Sequence, residues 1–246
     1  MSEPTVAIRV EGLVKHFGQT PVLRGVDLSV TQGEALAVIG PSGSGKSTVL
    51  RCIAGLDAFD SGRIEIAGMR VEARRSRPRA LTGAVGFVFQ TFNLFPHLTA
   101  LDNVTLAPIR TGRLIASAAR DLGLSLLDKV GLGARADAYP AQLSGGEQQR
   151  CAIARTLAMQ PQVILFDEPT SSLDPELVSE VLQVIADLAR EGRTLVIVTH
   201  QMAFAQEVAG RTLFIDGGRV VEQGPSKALF ADPRTERLRQ FLDRVL

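Results

Sequence analysis

Gly40-Pro41-Ser42-Gly43-Ser44-Gly45-Lys46-Ser47-Thr48 follows directly on the apolar run Ala35-Leu36-Ala37-Val38-Ile39, and this junction decides the fold. An apolar run without alternation suits a strand buried on both faces. The segment Gly40 to Ser47 fills every position of G-x-x-x-x-G-K-[ST], and a helix-like stretch runs on from Lys46 to Leu56. Strand, glycine loop and helix are the context in which such a loop cradles phosphate. Gly40, Gly43 and Gly45 let backbone N–H groups approach phosphate oxygens, and the helix start adds partial positive charge. The candidate site includes Pro41, Ser42, Ser44 and Thr48 with these glycines. Lys46 is expected to neutralise the β- and γ-phosphates, and the Ser47 hydroxyl to reach Mg²⁺. The loop indicates a nucleotide without saying what the nucleotide is for.

Three further apolar runs end at polar groups. Residues 84–89 (AVGFVF) run into Gln90, 163–166 (VILF) into Asp167-Glu168-Pro169, and 194–199 (TLVIVT) into His200. Ligands of open parallel sheets bind outside the carboxyl ends of the strands. Four such endings therefore suggest one site assembled from four strands. Asp167 is the expected Mg²⁺ anchor. Because strand side chains alternate, Glu168 is expected to point elsewhere, toward the γ-phosphate, and to activate water. General-base assistance of this kind contributes ~10²–10⁴-fold.

Leu143-Ser144-Gly145-Gly146-Glu147-Gln148-Gln149-Arg150 opens a second glycine-marked helix. Ser144 and Glu147 have capping-box spacing. Two glycines in a first turn cost about 1 kcal/mol each relative to alanine. They suit close packing, and they also leave a helix start able to take an anion. Two anion-binding helix starts in a chain with one nucleotide invite an intermolecular explanation.

Residues 6–10 and 21–30 read as strands, and 212–222 as a hairpin about Asp216-Gly217-Gly218. Residues 91–160 turn mostly helical, with breaks expected at Pro96, Pro108 and Pro140. Apolar residues at 178, 181, 182, 185, 188 and 189 have a helical period, and Leu238, Phe241, Leu242 and Val245 line one face of a final helix. No internal repeat or long linker divides the 246 residues. With 45% hydrophobic and 22% charged residues the chain is of ordinary globular composition, and its net charge of +1 supplies no global field for nucleic acid. Two cysteines, Cys52 and Cys151, exclude a disulfide framework. The longest apolar run is about five residues, far below a membrane span. The opening MSEPTVAIRV lacks the flank and core of a signal peptide. A soluble, cytoplasmic protein is expected.

Taken together, GPSGSGKST at 40–48, Gln90, LSGGEQQR at 143–150, VILFDEP at 163–169, SSLD at 171–174 and His200 resemble an ATP-binding cassette ATPase over essentially the whole chain. Within that family, residues 87–109, 137–150 and the carboxyl end DPRTERLRQFLDRVL are similar to the ATPase subunits of polar amino-acid importers. The resemblance implies an α/β phosphate-loop ATPase fold: a mixed sheet core, an N-terminal antiparallel β portion and a helical subdomain. One domain over 1–246 is expected, its core at about 1–90 and 161–246 and its helical subdomain at about 91–160. The implied cofactors are ATP and Mg²⁺. Phe17 takes the place of the aromatic that stacks on adenine. Gln90 contacts Mg²⁺ and the attacking water, and His200 holds the water geometry with Glu168. Ser144, Gly145, Gly146 and Glu147 bind the γ-phosphate held by a second subunit, with Asp174 at the seam. The implied partners are a second copy on ATP binding, transmembrane permease subunits and, indirectly, a solute-binding protein. The implied location is the cytoplasmic face of the membrane.

The catalytic set expected is thus Glu168, His200 and Gln90, and the metal set Ser47, Gln90 and Asp167. Glu147, Ser172 and Gln201 depart from common family residues without removing a catalytic group. An ATPase of another importer or of a lipoprotein-release system is the nearest alternative. A DNA-maintenance ATPase would need coiled coils this length does not hold, and a non-hydrolysing module would not need Lys46, Glu168 and His200. Phe92, Leu94, Phe95, Pro96 and Leu98 are expected to form a groove for a permease helix. The arginine-rich stretch 70–80 reads as a solvated loop.

Overall fold

The computed structural model describes residues 5–73 and 81–245; most of the arginine-rich stretch lies outside the described residues. Strands β1 (Val6–Phe17) and β2 (Thr20–Thr31) pair antiparallel and run longer than their apolar alternation indicated. Next come β3 (Ala35–Ile39) and α1 (Lys46–Ile53). β4 (Ser61–Ile66) and β5 (Met69–Val71) form a hairpin that the sequence reading did not assign. Its turn residues Ala67 and Gly68 have φ of 51° and 72°. Two positive values are the signature of the turn that matches strand twist, and alanine in the first place hides it from a sequence search. β2-β1-β4-β5 is the order of this antiparallel sheet.

β6 (Val85–Val88) precedes three helices: α2 (Ala100–Arg110), α3 (Ala116–Lys129) and α4 (Gly145–Leu157). Pro108 lies inside α2 rather than breaking it. A proline in a helix forgoes its own N–H bond and crowds the carbonyl four residues back; here it stands in the last turn, and the helix ends two residues later. The chain continues through β7 (Val163–Asp167), α5 (Pro175–Arg190), β8 (Thr194–Val198) and α6 (Met202–Val208). It finishes with the hairpin β9 (Arg211–Asp216) and β10 (Arg219–Pro225), then α7 (Ser226–Ala231) and α8 (Glu236–Val245).

The second sheet has the order β10-β9-β3-β8-β7-β6. It is parallel from β9 to β6, with β10 antiparallel at one edge. The four strands with polar endings are therefore contiguous. Every residue of β3, β7 and β8 is buried, as the unbroken apolar runs required. Strand alternation divides them between faces. Val163, Leu165, Val196 and Val198 face α1 and the antiparallel sheet; Ile164, Phe166, Leu195 and Ile197 face α4 and α5. A separate cluster of Leu101, Val104, Leu127, Leu132, Cys151 and Ala154 gathers α2, α3 and α4. Burial pushes the Cys52 thiol up to about 12 and that of Cys151 to about 11, so both are inert apolar filler.

Candidate nucleotide-binding site

The glycine loop turns sharply between β3 and α1. Gly40, Gly43 and Gly45 have φ of 151°, 76° and 102°, values that L side chains rarely adopt. A Cβ on Gly40 would lie 2.0 Å from the Ile215 carbonyl oxygen, so that position excludes any side chain. Within the loop, Lys46 Nζ donates to the Gly40 and Pro41 carbonyls at 3.0 and 2.9 Å. Its side chain is only 3% exposed, and Nζ lies 3.9 Å from Glu168 Oε1. Burial draws its pKa below the usual ammonium range, while Glu168 and Asp167 pull it back up. The Ser44 hydroxyl is buried without a partner.

Asp167 ends β7, fully buried, with Oδ1 left unpartnered. Burial raises its pKa, opposed by hydrogen bonding from Ser47 and by the Arg51 charge. Arg51 stands 3.5 Å from Oδ2. Sequence reading did not single Arg51 out, though it lies four residues after Ser47 and so on the same face of α1.

Glu168 corrects one expectation. Alternation along a strand does not turn it away from Asp167, because Glu168 is outside the strand. Its φ is 48°, in the left-handed region, and its N–H donates to the Val198 carbonyl at 3.0 Å. That bond ties it to β8 and brings Oε1 to 3.0 Å from His200 Nε2. The His200 hydrogen bond, together with the Lys46 charge, holds this carboxyl below the usual carboxylate range against its burial.

Phe17, at the end of β1, is 52% exposed, and the Lys15 ammonium lies 4.7 Å from its ring centroid. Phe17, Val22, Gly43, Gly45, Lys46, Ser47, Thr48 and Glu168 line one cavity of about 290 Å³. Val22 is the lining residue that sequence reading missed. Gln90 is exposed just beyond β6 and does not line this cavity.

Nor do Ser144–Glu147 line it. Ser144 caps α4, with Glu147 N–H donating to its Oγ at 3.2 Å and its own N–H donating to Glu147 Oε2 at 2.8 Å. The glycines also serve close packing. A Cβ on Gly145 would lie 3.1 Å from Leu173 Cδ2, and one on Gly146 3.2 Å from Leu177 Cβ. First-turn N–H groups have no intrahelical acceptor, so this helix start still presents donors.

Strand, glycine loop, helix and buried carboxylate together define a phosphate-loop nucleotide-binding protein. The family model described as ABC transporter matches residues 23–171, and the chain belongs to that family. It is 53% identical over 246 residues to the L-cystine transport system ATP-binding protein TcyN of Escherichia coli (strain K12), covering 98% of each chain. It is 51% identical to the glutamine transport ATP-binding protein GlnQ of the same organism over 238 residues, 97% of this chain and 99% of that one. Among solved structures it is similar to a dimeric post-hydrolysis state of the ATP-binding cassette MJ0796 bound to ADP and Pi. That likeness has a TM-score of 0.78 and 35% identity, over 89% of this chain and 98% of that one. The chain is an ATP-binding, ATP-hydrolysing subunit of a transport system.

Proposed function

We propose that this chain energises an importer of polar amino acids, with Glu168 as the group that activates water. The observation that carries the mechanism is the convergence of Lys46 and His200 on one Glu168 oxygen, at 3.9 and 3.0 Å. A carboxylate held ionised beside the phosphate loop can accept a proton from water, and His200 orients it. Lys46 binds the β- and γ-phosphates, and Phe17 stacks on adenine. The Ser47 hydroxyl and the buried, unpartnered Asp167 Oδ1 form an oxygen donor set suited to Mg²⁺. Among the described residues no group of three or more His, Cys, Asp or Glu forms a protein-only cage. Mg²⁺ usually keeps several waters and is held by one or two carboxylates together with substrate phosphates. When bound, Mg²⁺ would neutralise charge developing between the β- and γ-phosphates. Gln90, just beyond the end of β6, is the group that senses the γ-phosphate.

Ser144, Gly145, Gly146 and Glu147 face the nucleotide of a second copy, with Asp174 at the seam. Residues 91–160 act as a helical subdomain within a single 1–246 domain. No helix among the described residues is long and apolar enough to cross a membrane. In keeping with the transport-system relatives, the transport path is assigned to permease subunits. The chain sits against them at the cytoplasmic face, and a solute-binding protein delivers the amino acid. The similarity to TcyN and GlnQ over nearly their full length supports the substrate class.

Glu168→Gln tests the reading. Its amide cannot take a proton, so hydrolysis in single turnover should fall by ~10²–10⁴-fold while ATP binding persists. The trapped protein should dimerise only with ATP in light scattering. Near wild-type turnover would remove Glu168 from the role.

A further inference from the structure

Helix α4 holds the turn that carries Gln90 from both sides. Ahead of Gln90, Gln149 Nε2 donates to the Phe89 carbonyl at 3.1 Å. Behind it, the Arg155 guanidinium donates to the Asn93 carbonyl at 2.6 Å and to the Phe92 carbonyl at 3.1 Å. Asn93 has φ of 51°, a left-handed conformation that surrounding contacts must maintain. At the start of the same helix, the Phe92 ring lies 3.5 Å from where a Cβ on Gly145 would stand. Gln149 is fully buried, and its Oε1 has no partner. A buried amide left half-satisfied is costly, and a methionine or leucine would fill the space without that cost. Packing alone therefore does not account for glutamine here; its donated bond to the chain beside Gln90 does.

We propose that Gln149 and Arg155 are positioning residues that fix the Gln90 turn to helix α4, so that a displacement of the helix start at Ser144 is passed to Gln90. The coupling rests on the reading of Gln90 as a group that acts at the γ-phosphate. It gives α4 a second task. Its first turn meets a nucleotide held by another copy, and its side chains set the geometry of the site in its own copy. One rigid helix then links the two sites of a dimer.

The test is steady-state ATP hydrolysis by the full chain in a double-mutant cycle. Gln149→Met and Arg155→Met should each lower kcat by about 10–100-fold, the scale of a misplaced catalytic group. KM for ATP should stay within about twofold, because the phosphate loop is untouched. Arg155→Lys keeps the charge but replaces a two-pronged donor, and should fall between wild type and Arg155→Met. In a Gln90→Ala background, neither methionine substitution should lower kcat further, since residues acting through one group are not additive. Full additivity with a damaged Gln90→Ala protein would overturn the coupling and leave the role of Gln90 intact. Full kcat in Gln90→Ala itself would overturn both. If Arg155→Met fails to fold, Gln149→Met and Arg155→Lys decide the matter, and wild-type kcat in both would end the proposal.

Discussion

Glu34 is a small case of a charge that the fold has arranged to keep. It accepts from the Thr31 N–H at 2.8 Å and from Arg211 Nε at 2.8 Å, joining the turn before β3 to β9. Arg211 also reaches Gln223 Oε1 on β10 and the Ser29 carbonyl on β2. Burial pushes the Glu34 carboxyl up, but the Arg211 and Thr31 hydrogen bonds outweigh it and hold it below its ordinary 4.5. A depressed carboxyl stabilises the fold above its unfolded pKa, and that contribution is lost as pH falls through the folded value. Glu34→Gln should therefore cost about 1–2 kcal/mol at pH 7, given a partly exposed charge-assisted pair. The difference from wild type should close as denaturation is repeated from pH 7 down through and below 4.5. A constant difference across that range would mean that the amide merely packs worse.

At the scale of elements, Gly123 sits mid-way along α3, where glycine is a poor helix former. It stays because α2 passes too close: a Cβ there would lie 2.6 Å from Thr105 Cγ2 and 2.7 Å from Leu101 Cδ1. Gly123→Ala gains up to about 1 kcal/mol of helix propensity. Overpacking costs about 1–3 kcal/mol. The net expectation is a lower midpoint in urea, by about 0–2 kcal/mol of stability, and a higher midpoint would show that the two helices part freely. Which elements a sequence discloses follows the same physics. β3, β7 and β8 are buried on both faces, so their apolar runs stand out. β5 and α7 are half-buried and only three and six residues long, too short for a strand or helix period to show. The phosphate loop was legible because its chemistry needs particular residues at fixed spacing. The turn at Glu168 was not, since a left-handed glutamate is imposed by the Val198 carbonyl across the sheet. Gln149 and Arg155 likewise act on backbone carbonyls far along the chain, contacts that leave no mark in local sequence.

The whole molecule must also meet its permease. Residues 92–98 divide where sequence reading had expected one groove. Leu94 joins the α2–α4 core, and Phe92 is half-buried beneath Gly145. Phe95 is 43% exposed beside the exposed Pro96 and His97. Asn103, fully buried, accepts from the Phe95 N–H at 2.8 Å and donates to the Phe95, Leu98 and Thr99 carbonyls, so this exposed face has a fixed shape. Phe95→Glu should keep its melting temperature and ATP binding yet lose co-purification with the permease. A buried unpaired charge at a contact costs several kcal/mol, roughly 3–5. Unchanged transport would place docking elsewhere. The strand order β3-β8-β7-β6 carries a different consequence. β8 is the last of the four to leave the ribosome, yet it lies between the strand that ends in the phosphate loop and the strand that ends in Asp167. β8 cannot bridge those two strands until about residue 200 has been made. A nascent chain shorter than that carries the most recognisable motif of the protein and no competent pocket. Nucleotide capture thereby reports that synthesis has passed the point where the parallel sheet can close, a late event for a topology of long sequence separation.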